Sequence, residues 1–125
     1  MNLLLDTHVF LWWLDDDRRL RSGVRAVIAD PTNLVAVSAA SVWEIAIKCA
    51  IGKLRAPDDV PTLLRDSEFD ALPITVDHAR IAGSLPRHHD DPFDRMLVAQ
   101  AMLEDYTLVT HDRRIFDYEV AYLEA

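Results

Sequence analysis

The sequence has a single cysteine, no long apolar run and fewer basic than acidic residues. The one cysteine, Cys49, cannot form an internal disulfide, which is typical of a reducing cytoplasm. No apolar run approaches the roughly 18 residues that a membrane-spanning helix needs, so we expect no membrane segment. The N-terminal leucines follow no basic region and stop at Asp6, which argues against a signal peptide. We therefore expect a cytoplasmic protein.

The deficit of positive charge bears on the choice of partner. Thirteen Lys and Arg residues face 21 Asp and Glu residues, for a formal net charge of −8. Proteins that bind nucleic acids usually present a basic face, so this balance by itself argues against them. However, divalent cations in an acidic site would reverse the local sign, and basic residues are grouped at 18–25, 48–55 and 113–114. Because a solvated helix face also explains each group, net charge does not identify the partner.

Short apolar runs alternate with helical spacings along the chain. Strands are predicted at 2–5, 34–38, 72–75, 107–112 and, as an edge strand, 120–125; helices are predicted at 7–14, 17–30, 41–54, 57–69, 76–85 and 93–106. This alternation predicts an α/β fold with a central, mostly parallel sheet of about four to five strands flanked by helices. The length suits one domain spanning 1–125, and the sequence contains no repeat or linker.

Two predicted helix starts contain capping residues. Thr7 comes before the apolar residues of the first helix and is a candidate N-cap. Ser41 and Glu44 match the Ser-x-x-Glu capping box at the start of the third helix. On this interpretation Glu44 lies in the first helical turn and faces the carboxyl ends of the strands.

Acidic residues from four segments are expected at one edge of the sheet. Asp6 and Asp112 follow the first and fourth strands, while Glu44 and Asp94 begin helices next to them. Ligands of such sheets bind outside the carboxyl ends of the strands. Each acid alone is simply explained as a cap, a helix-dipole partner or a turn residue. Together they would repel one another, and a divalent cation with oxygen ligands, Mg²⁺ or Mn²⁺, removes that penalty.

Four segments, "LLLDTH", "SAASVWEIAIKCAIGKL", "DPFDRMLVAQA" and "LVTHD", resemble the motifs of PIN-domain ribonucleases, specifically VapC-type toxins of toxin–antitoxin pairs. The similarity runs nearly end to end. It implies that Asp6, Glu44, Asp94 and Asp112 form the acidic site, with Asp6 and Asp94 as the main metal ligands and the other two as further candidates. The family's first motif more often ends in Asn or Ser, so the role of His8 stays open.

The same resemblance implies three supporting residues and several partners. Thr7 and Ser38 match positions where small hydroxyl residues support the site, and Asp91 is an acid that either assists or shapes the loop. The implied activity is metal-dependent hydrolysis of RNA phosphodiester bonds, neutralised by a VapB-like antitoxin. A homodimer is also implied, and the apolar "FLWWL" segment fits either partner surface. The alternative is a non-catalytic PIN-like module that binds protein or RNA.

Other hydrolase classes fit the sequence less well. There is no Gly-x-Ser-x-Gly elbow, and Cys49 lies in a helix where we expect it to be core. Zinc is disfavoured because His88, His89 and His111 lack the usual ligand spacing and are expected to be exposed. A phosphatase of the haloacid-dehalogenase type needs a second Asp where His8 stands.

The three tryptophans have two interpretations. Trp12, Trp13 and Trp43 could stack on nucleobases, but packing in the core is the simpler explanation. Trp12 and Trp13 are adjacent and therefore point in different directions, so at least one is expected to be core.

Overall fold

The computed structural model describes residues 1–125 and contains one sheet of five parallel strands. The strands are β1 (Asn2–Leu5), β2 (Leu34–Ser38), β3 (Asp70–Leu72), β4 (Thr107–Thr110) and β5 (Tyr122–Glu124). The helices are α1 (Thr7–Asp15), α2 (Ser22–Ala29), α3 (Ala39–Ala50), α4 (Val60–Asp66), α5 (Val76–Ser84) and α6 (Pro92–Glu104), with a 3₁₀ turn at Ile115–Asp117. The predicted α/β class is thus confirmed. None of the helices has the length and apolarity needed to cross a membrane.

Several predicted boundaries are wrong: α2 begins at Ser22 and not at residue 17, α4 is shorter at both ends, and three further differences have a local reason. The third strand ends at Leu72, because Pro73 has no N–H to donate to the ladder. The first helix is capped by Asp6, whose Oδ1 accepts a hydrogen bond from the Val9 N–H, and not by Thr7. The third helix is capped by Ser38, so the expected capping box at Ser41 and Glu44 does not exist.

Alternate residues of the buried strands pack on opposite faces of the sheet, as the two-residue period of a strand requires. Leu3 and Leu5 of β1 pack in the larger core with side chains of α1, α2 and α4. Leu4 packs on the other face, against Leu97 and Val98 of α6. Helices therefore cover both faces, and β1 is buried throughout its apolar part.

The order of the strands positions the functional edge. In the sheet they run β3-β2-β1-β4-β5, so the chain moves outward from β1 on one side and then returns to the other side with β4. The direction reverses between β1 and β4, and the carboxyl ends of those strands form a crevice where open α/β sheets bind ligands. Asp6 ends β1 at this point, and its N–H donates to the Val109 carbonyl of β4 at 3.0 Å.

Arg95 holds the loop between α5 and α6. Its Nη1 donates to the carbonyls of Pro86 (3.1 Å) and His89 (3.2 Å), and its Nη2 donates to those of Ala82 (2.9 Å) and Leu85 (3.0 Å). Carbonyls at a helix C-terminus lack partners within the helix. One guanidinium therefore satisfies the end of α5 and fixes the path of the chain into α6.

We predict that Arg95→Met lowers the free energy of unfolding by about 2–4 kcal/mol, because four carbonyls, three of them partly buried, lose a charged donor. Arg95→Lys should recover only part of this, since one ammonium cannot reproduce the planar fork. Urea unfolding in metal-free buffer measures the change. Arg80→Met on the exposed side of α5 is the matched control and should stay within about 0.5 kcal/mol of the parent. Equal losses for the two arginines would contradict the role of Arg95.

Candidate acidic metal site

Asp6 is buried at the end of β1, with 5% of its surface exposed. Besides the bond from Val9, its Oδ2 accepts a hydrogen bond from the Thr110 hydroxyl at 2.6 Å. Burial raises the pKa of Asp6, and these two hydrogen bonds oppose the shift without cancelling it. The carboxylate is therefore fixed in place, but its charge is not fully compensated by the protein.

Glu44 lies in the second turn of α3 because the helix starts at Ala39. It is 3% exposed, and its Oε1 accepts a hydrogen bond from the Thr7 hydroxyl at 2.6 Å, which links α3 to α1. Lys48, one turn further along α3, donates to Glu44 Oε2. This bond raises the pKa of the Lys48 ammonium. Lys48 was not predicted to be the partner of Glu44, although residues four apart on a helix are neighbours and their spacing could have indicated this pair.

The two aspartates of the "DPFDR" segment have different positions at the start of α6. Asp91 caps α6 by accepting hydrogen bonds from the N–H groups of Phe93 (2.8 Å) and Asp94 (3.1 Å), and Pro92 occupies the first helical position. Asp91 thus shapes the loop. Asp94 then lies in the first turn of α6 and points toward the other acids.

The pKa of Asp94 is raised from 3.8 to about 8. Burial is the largest cause, followed by the negative charges of Asp91, Asp6, Glu44 and Asp112. The four acids predicted to meet are thus near enough to oppose one another's ionisation. A carboxyl group that is half neutral near physiological pH is a common sign of a functional site.

Asp112 lies two residues beyond β4 and is held by Arg114. Partial burial opposes its ionisation, but hydrogen bonds from Arg114 and His89 outweigh burial and lower its pKa. Arg114 donates its backbone N–H and Nε to Oδ1 (3.0 and 3.2 Å) and its Nη2 to Oδ2 (3.0 Å). Asp112 is consequently the acid of this group that the protein itself neutralises best.

His89 was expected to be exposed, and this is wrong. It is 4% exposed, and its Nε2 lies 2.9 Å from Asp94 Oδ2 and 2.8 Å from Asp112 Oδ2. Polar atoms of these three residues all lie within 4.8 Å of one another. His88 and His111 are exposed, as expected. The position of His89 depends on a loop without periodicity, so the sequence contained no signal for it.

The remaining candidates lie around this cluster. Ser38 is fully buried and accepts a hydrogen bond from the Ala40 N–H at 3.0 Å, so it fixes the start of the helix that carries Glu44. His8 is exposed, and its ring centroid lies 6.4 Å from that of Trp12. Its charge lowers the pKa of Asp6.

The tryptophans divide between core and surface. Trp12 is buried, in agreement with the core interpretation, whereas Trp43 is 62% exposed and contradicts it. Trp43 packs edge-on against Phe93, with ring centroids 5.5 Å apart. These aromatic residues immediately precede Glu44 and Asp94, so an aromatic pair, of which Trp43 is exposed and Phe93 half-buried, borders the acids.

Two further expectations are corrected by burial. Most of the "FLWWL" segment is internal: Phe10, Leu11 and Trp12 are buried in the larger core, and Trp13 and Leu14 pack against it. The segment is therefore not a free apolar surface. Cys49 is exposed and not part of the core, because it lies on the outer face of α3.

The balance of charge suits a divalent cation. Five carboxylates, those of Asp6, Glu44, Asp91, Asp94 and Asp112, act on one another here. The cationic side chains in contact with them are Lys48 and Arg114. The donor set is dominated by carboxylate oxygen, which Mg²⁺ and Mn²⁺ prefer. The excess negative charge around the partly buried Asp94 is what a bound cation would neutralise.

The parallel sheet with helices on both faces, and the carboxylates at the point where its strand order reverses, place the chain among α/β domains with an acidic site. The model of the PIN domain family matches residues 3–120, and the chain belongs to this family, among its VapC-type members. Ribonuclease VapC22 of Mycobacterium tuberculosis is 32% identical over 116 residues, which cover 90% of this chain and 88% of that relative. The family resemblance predicted from the motifs is confirmed.

Solved structures share the fold. VapBC2 from Rickettsia felis, solved with a DNA fragment from its promoter, aligns with a TM-score of 0.74 and 15% identity over 100% of this chain and 99% of that chain. A toxin–antitoxin complex from Klebsiella pneumoniae aligns with a TM-score of 0.68 and 20% identity, covering 97% of this chain and 95% of that chain. At these identities the likeness concerns the fold.

Proposed function

We propose that the chain is a divalent-metal-dependent endoribonuclease that acts as the toxin of a toxin–antitoxin pair. The observation that carries the proposal is the convergence of Asp6, Glu44, Asp94 and Asp112 at one edge of the sheet, where burial and the other acids raise the pKa of Asp94 to about 8. Such a cluster destabilises a protein without a cation, so a function that uses the cation accounts for it. The name of the relative VapC22, a ribonuclease, supports RNA as the substrate.

The acids have distinct proposed roles. Asp6 and Asp94 hold the cation, and Glu44 and Asp112 either bind a second one or orient water. When bound, Mg²⁺ or Mn²⁺ stabilises the negative charge that develops on the phosphate and lowers the pKa of water. Thr7 and Lys48 hold Glu44 through hydrogen bonds to its two oxygens. No protein nucleophile is required.

The proposed partners follow from the family. A VapB-like antitoxin would bind the domain, formed by residues 1–125, and block the acids with a basic side chain. The toxin–antitoxin complex from Klebsiella pneumoniae supports this partner. A homodimer is proposed as well, through a surface other than the buried part of "FLWWL". The exposed Trp43, which packs against Phe93, supports stacking of a nucleobase beside the acids.

We predict that purified, antitoxin-free protein cuts total cellular RNA with Mg²⁺ or Mn²⁺, and that EDTA removes the activity. Restoring the cation in excess of EDTA should restore cutting. The physical reason is that the acids repel the phosphate until a cation neutralises them. Cutting that persists in EDTA would contradict the metal dependence. Binding of RNA or antitoxin without any cutting would favour the non-catalytic binding module instead.

A further inference from the structure

We propose that His89 is a positioning residue that holds the carboxylates of Asp94 and Asp112 together as one cation-binding edge. The inference rests on the proposed function, since it concerns the same cation. The imidazole is buried between the two acids, which come from different elements: Asp94 begins α6, and Asp112 follows β4. Its Nε2 is within hydrogen-bond distance of one oxygen of each, at 2.9 and 2.8 Å.

The tautomer of the His89 imidazole follows from the hydrogen bond to its Nδ1. The backbone N–H of Asp91 donates to His89 Nδ1 at 3.1 Å, so Nδ1 must present a lone pair. In the neutral ring the hydrogen is then on Nε2, which donates it to Asp112 Oδ2, while Asp94 Oδ2 lies 2.9 Å from the same nitrogen. Because this nitrogen carries a hydrogen, it cannot also offer a lone pair to a metal. His89 therefore acts on the cation through Asp94 and Asp112 and is not a ligand itself.

The backbone of His89 is fixed by distant parts of the chain. Its N–H donates to the Tyr118 hydroxyl at 3.0 Å, and that hydroxyl donates to the Pro86 carbonyl at 2.7 Å. Its carbonyl accepts from Arg95 Nη1 at 3.2 Å. The backbone N–H and carbonyl of His89 and both of its ring nitrogens thus have hydrogen-bond partners. These contacts fix the orientation of the imidazole.

This arrangement opposes the repulsion between the two acids. Without a donor between them, two negative carboxylates would separate. The polar Nε2–H lies between one oxygen of each acid, donating to Asp112 and in contact with Asp94, and no side chain donates to the other oxygen of Asp94, Oδ1. Donors that orient ligand carboxylates typically change metal affinity or activity by about 10–100-fold when they are removed.

The test measures Mn²⁺ binding by titration calorimetry on purified, antitoxin-free protein. His89→Leu should weaken Mn²⁺ binding by about 10–100-fold, because the donor is lost. His89→Gln should recover most of the affinity, since its side-chain amide also provides an N–H donor. Arg80→Leu, which introduces leucine at an exposed position of α5, is the control and should bind Mn²⁺ like the parent. Circular dichroism and urea unfolding verify that each variant is folded.

Pulsed electron paramagnetic resonance of the parent with Mn²⁺ provides a readout that does not depend on the variants. We expect no coupling from a directly bound imidazole nitrogen; its detection would overturn the proposal by making His89 a ligand. Unchanged Mn²⁺ affinity in folded His89→Leu, or equal losses in the Leu and Gln variants, would overturn it while leaving the proposed function intact. Absence of any Mn²⁺ binding by the parent would overturn both.

Discussion

Replacing Asp94 with asparagine should reduce RNA cleavage by about 100- to 1,000-fold and make the metal-free protein more stable. The cation supplies several kcal/mol of charge stabilisation to phosphate chemistry, and each 1.36 kcal/mol corresponds to about tenfold in rate. Asparagine keeps the size of the side chain but loses the negative charge that holds the cation. The initial rate of cleavage of a defined RNA, with saturating Mn²⁺, measures this part.

The gain in stability has the same origin as the loss of activity. In the folded protein the ionised Asp94 is buried and faces four other acids, which raises its pKa to about 8. An uncharged amide does not meet this penalty, so the free energy of unfolding at pH 7.5 should rise by about 1–3 kcal/mol. Urea unfolding in EDTA, with parent and variant side by side, measures the change.

Asp77→Asn is the matched control, since Asp77 also lies in the first turn of a helix, α5, but is exposed and far from the acids in sequence. It should cut RNA like the parent and stay within about 0.5 kcal/mol of its stability. Full activity in Asp94→Asn would remove Asp94 from the site. A folded but less stable Asp94→Asn would mean that the acids do not strain the metal-free protein.

The strands that determine the position of the acids were predictable, because their signal is local. "NLLL", "LVAVS" and "TLVT" are compact apolar runs, and in a parallel sheet their carboxyl ends meet at one edge. Asp6 and Asp112 could therefore be assigned to that edge from the sequence. The general position of Asp94 followed because Pro92 marks the start of its helix.

The helix starts were less predictable, since neighbouring residues compete for the same capping role. Asp6 and Thr7 are both good N-caps, and Asp6 prevails because β1 ends at Leu5 and leaves its side chain next to the Val9 N–H. Ser38 and Ser41 compete in the same way, and Ser38 prevails at the end of β2. The second case moved Glu44 from the first to the second helical turn, yet Glu44 is held by Thr7 and still lies near enough to raise the pKa of Asp94.

Contacts between distant segments could not be predicted from the sequence. His89 is buried because Tyr118 and Arg95, far along the chain or in the next helix, fix its loop. Trp43 is exposed because its helix turns Glu44 and Ile45 inward instead. The loop of His89 has no periodic pattern, and the start of the helix that contains Trp43 was wrongly predicted. The general preference of each residue type therefore favoured the opposite result: polar histidine outside and aromatic tryptophan inside.

The free energy of unfolding of the metal-free protein should fall by about 2–4 kcal/mol between pH 5 and pH 8. The pKa of Asp94 is near its ordinary 3.8 in the unfolded chain and about 8 in the folded one. Between these values the folded protein keeps a proton that the unfolded chain has released, so stability decreases as pH rises. Below the lower value both states are protonated, and above the higher one both are ionised. Burial raises the pKa of Asp6 too, which acts in the same direction.

Saturating Mn²⁺ should remove this slope, because the cation binds the ionised carboxylates and displaces the proton that the metal-free folded protein keeps. At 100 times its dissociation constant a ligand of the folded state adds about 2.7 kcal/mol, and the affinity for Mn²⁺ should itself increase toward pH 8. Urea unfolding at pH 5, 6, 7 and 8, with EDTA or Mn²⁺, measures both effects. Asp94→Asn should flatten the pH profile in EDTA, whereas Asp77→Asn should keep it. If the profile in EDTA were the same with and without the Asp94 carboxyl, the strain would have to come from another acid of the cluster, and Asp6 would be the first to test.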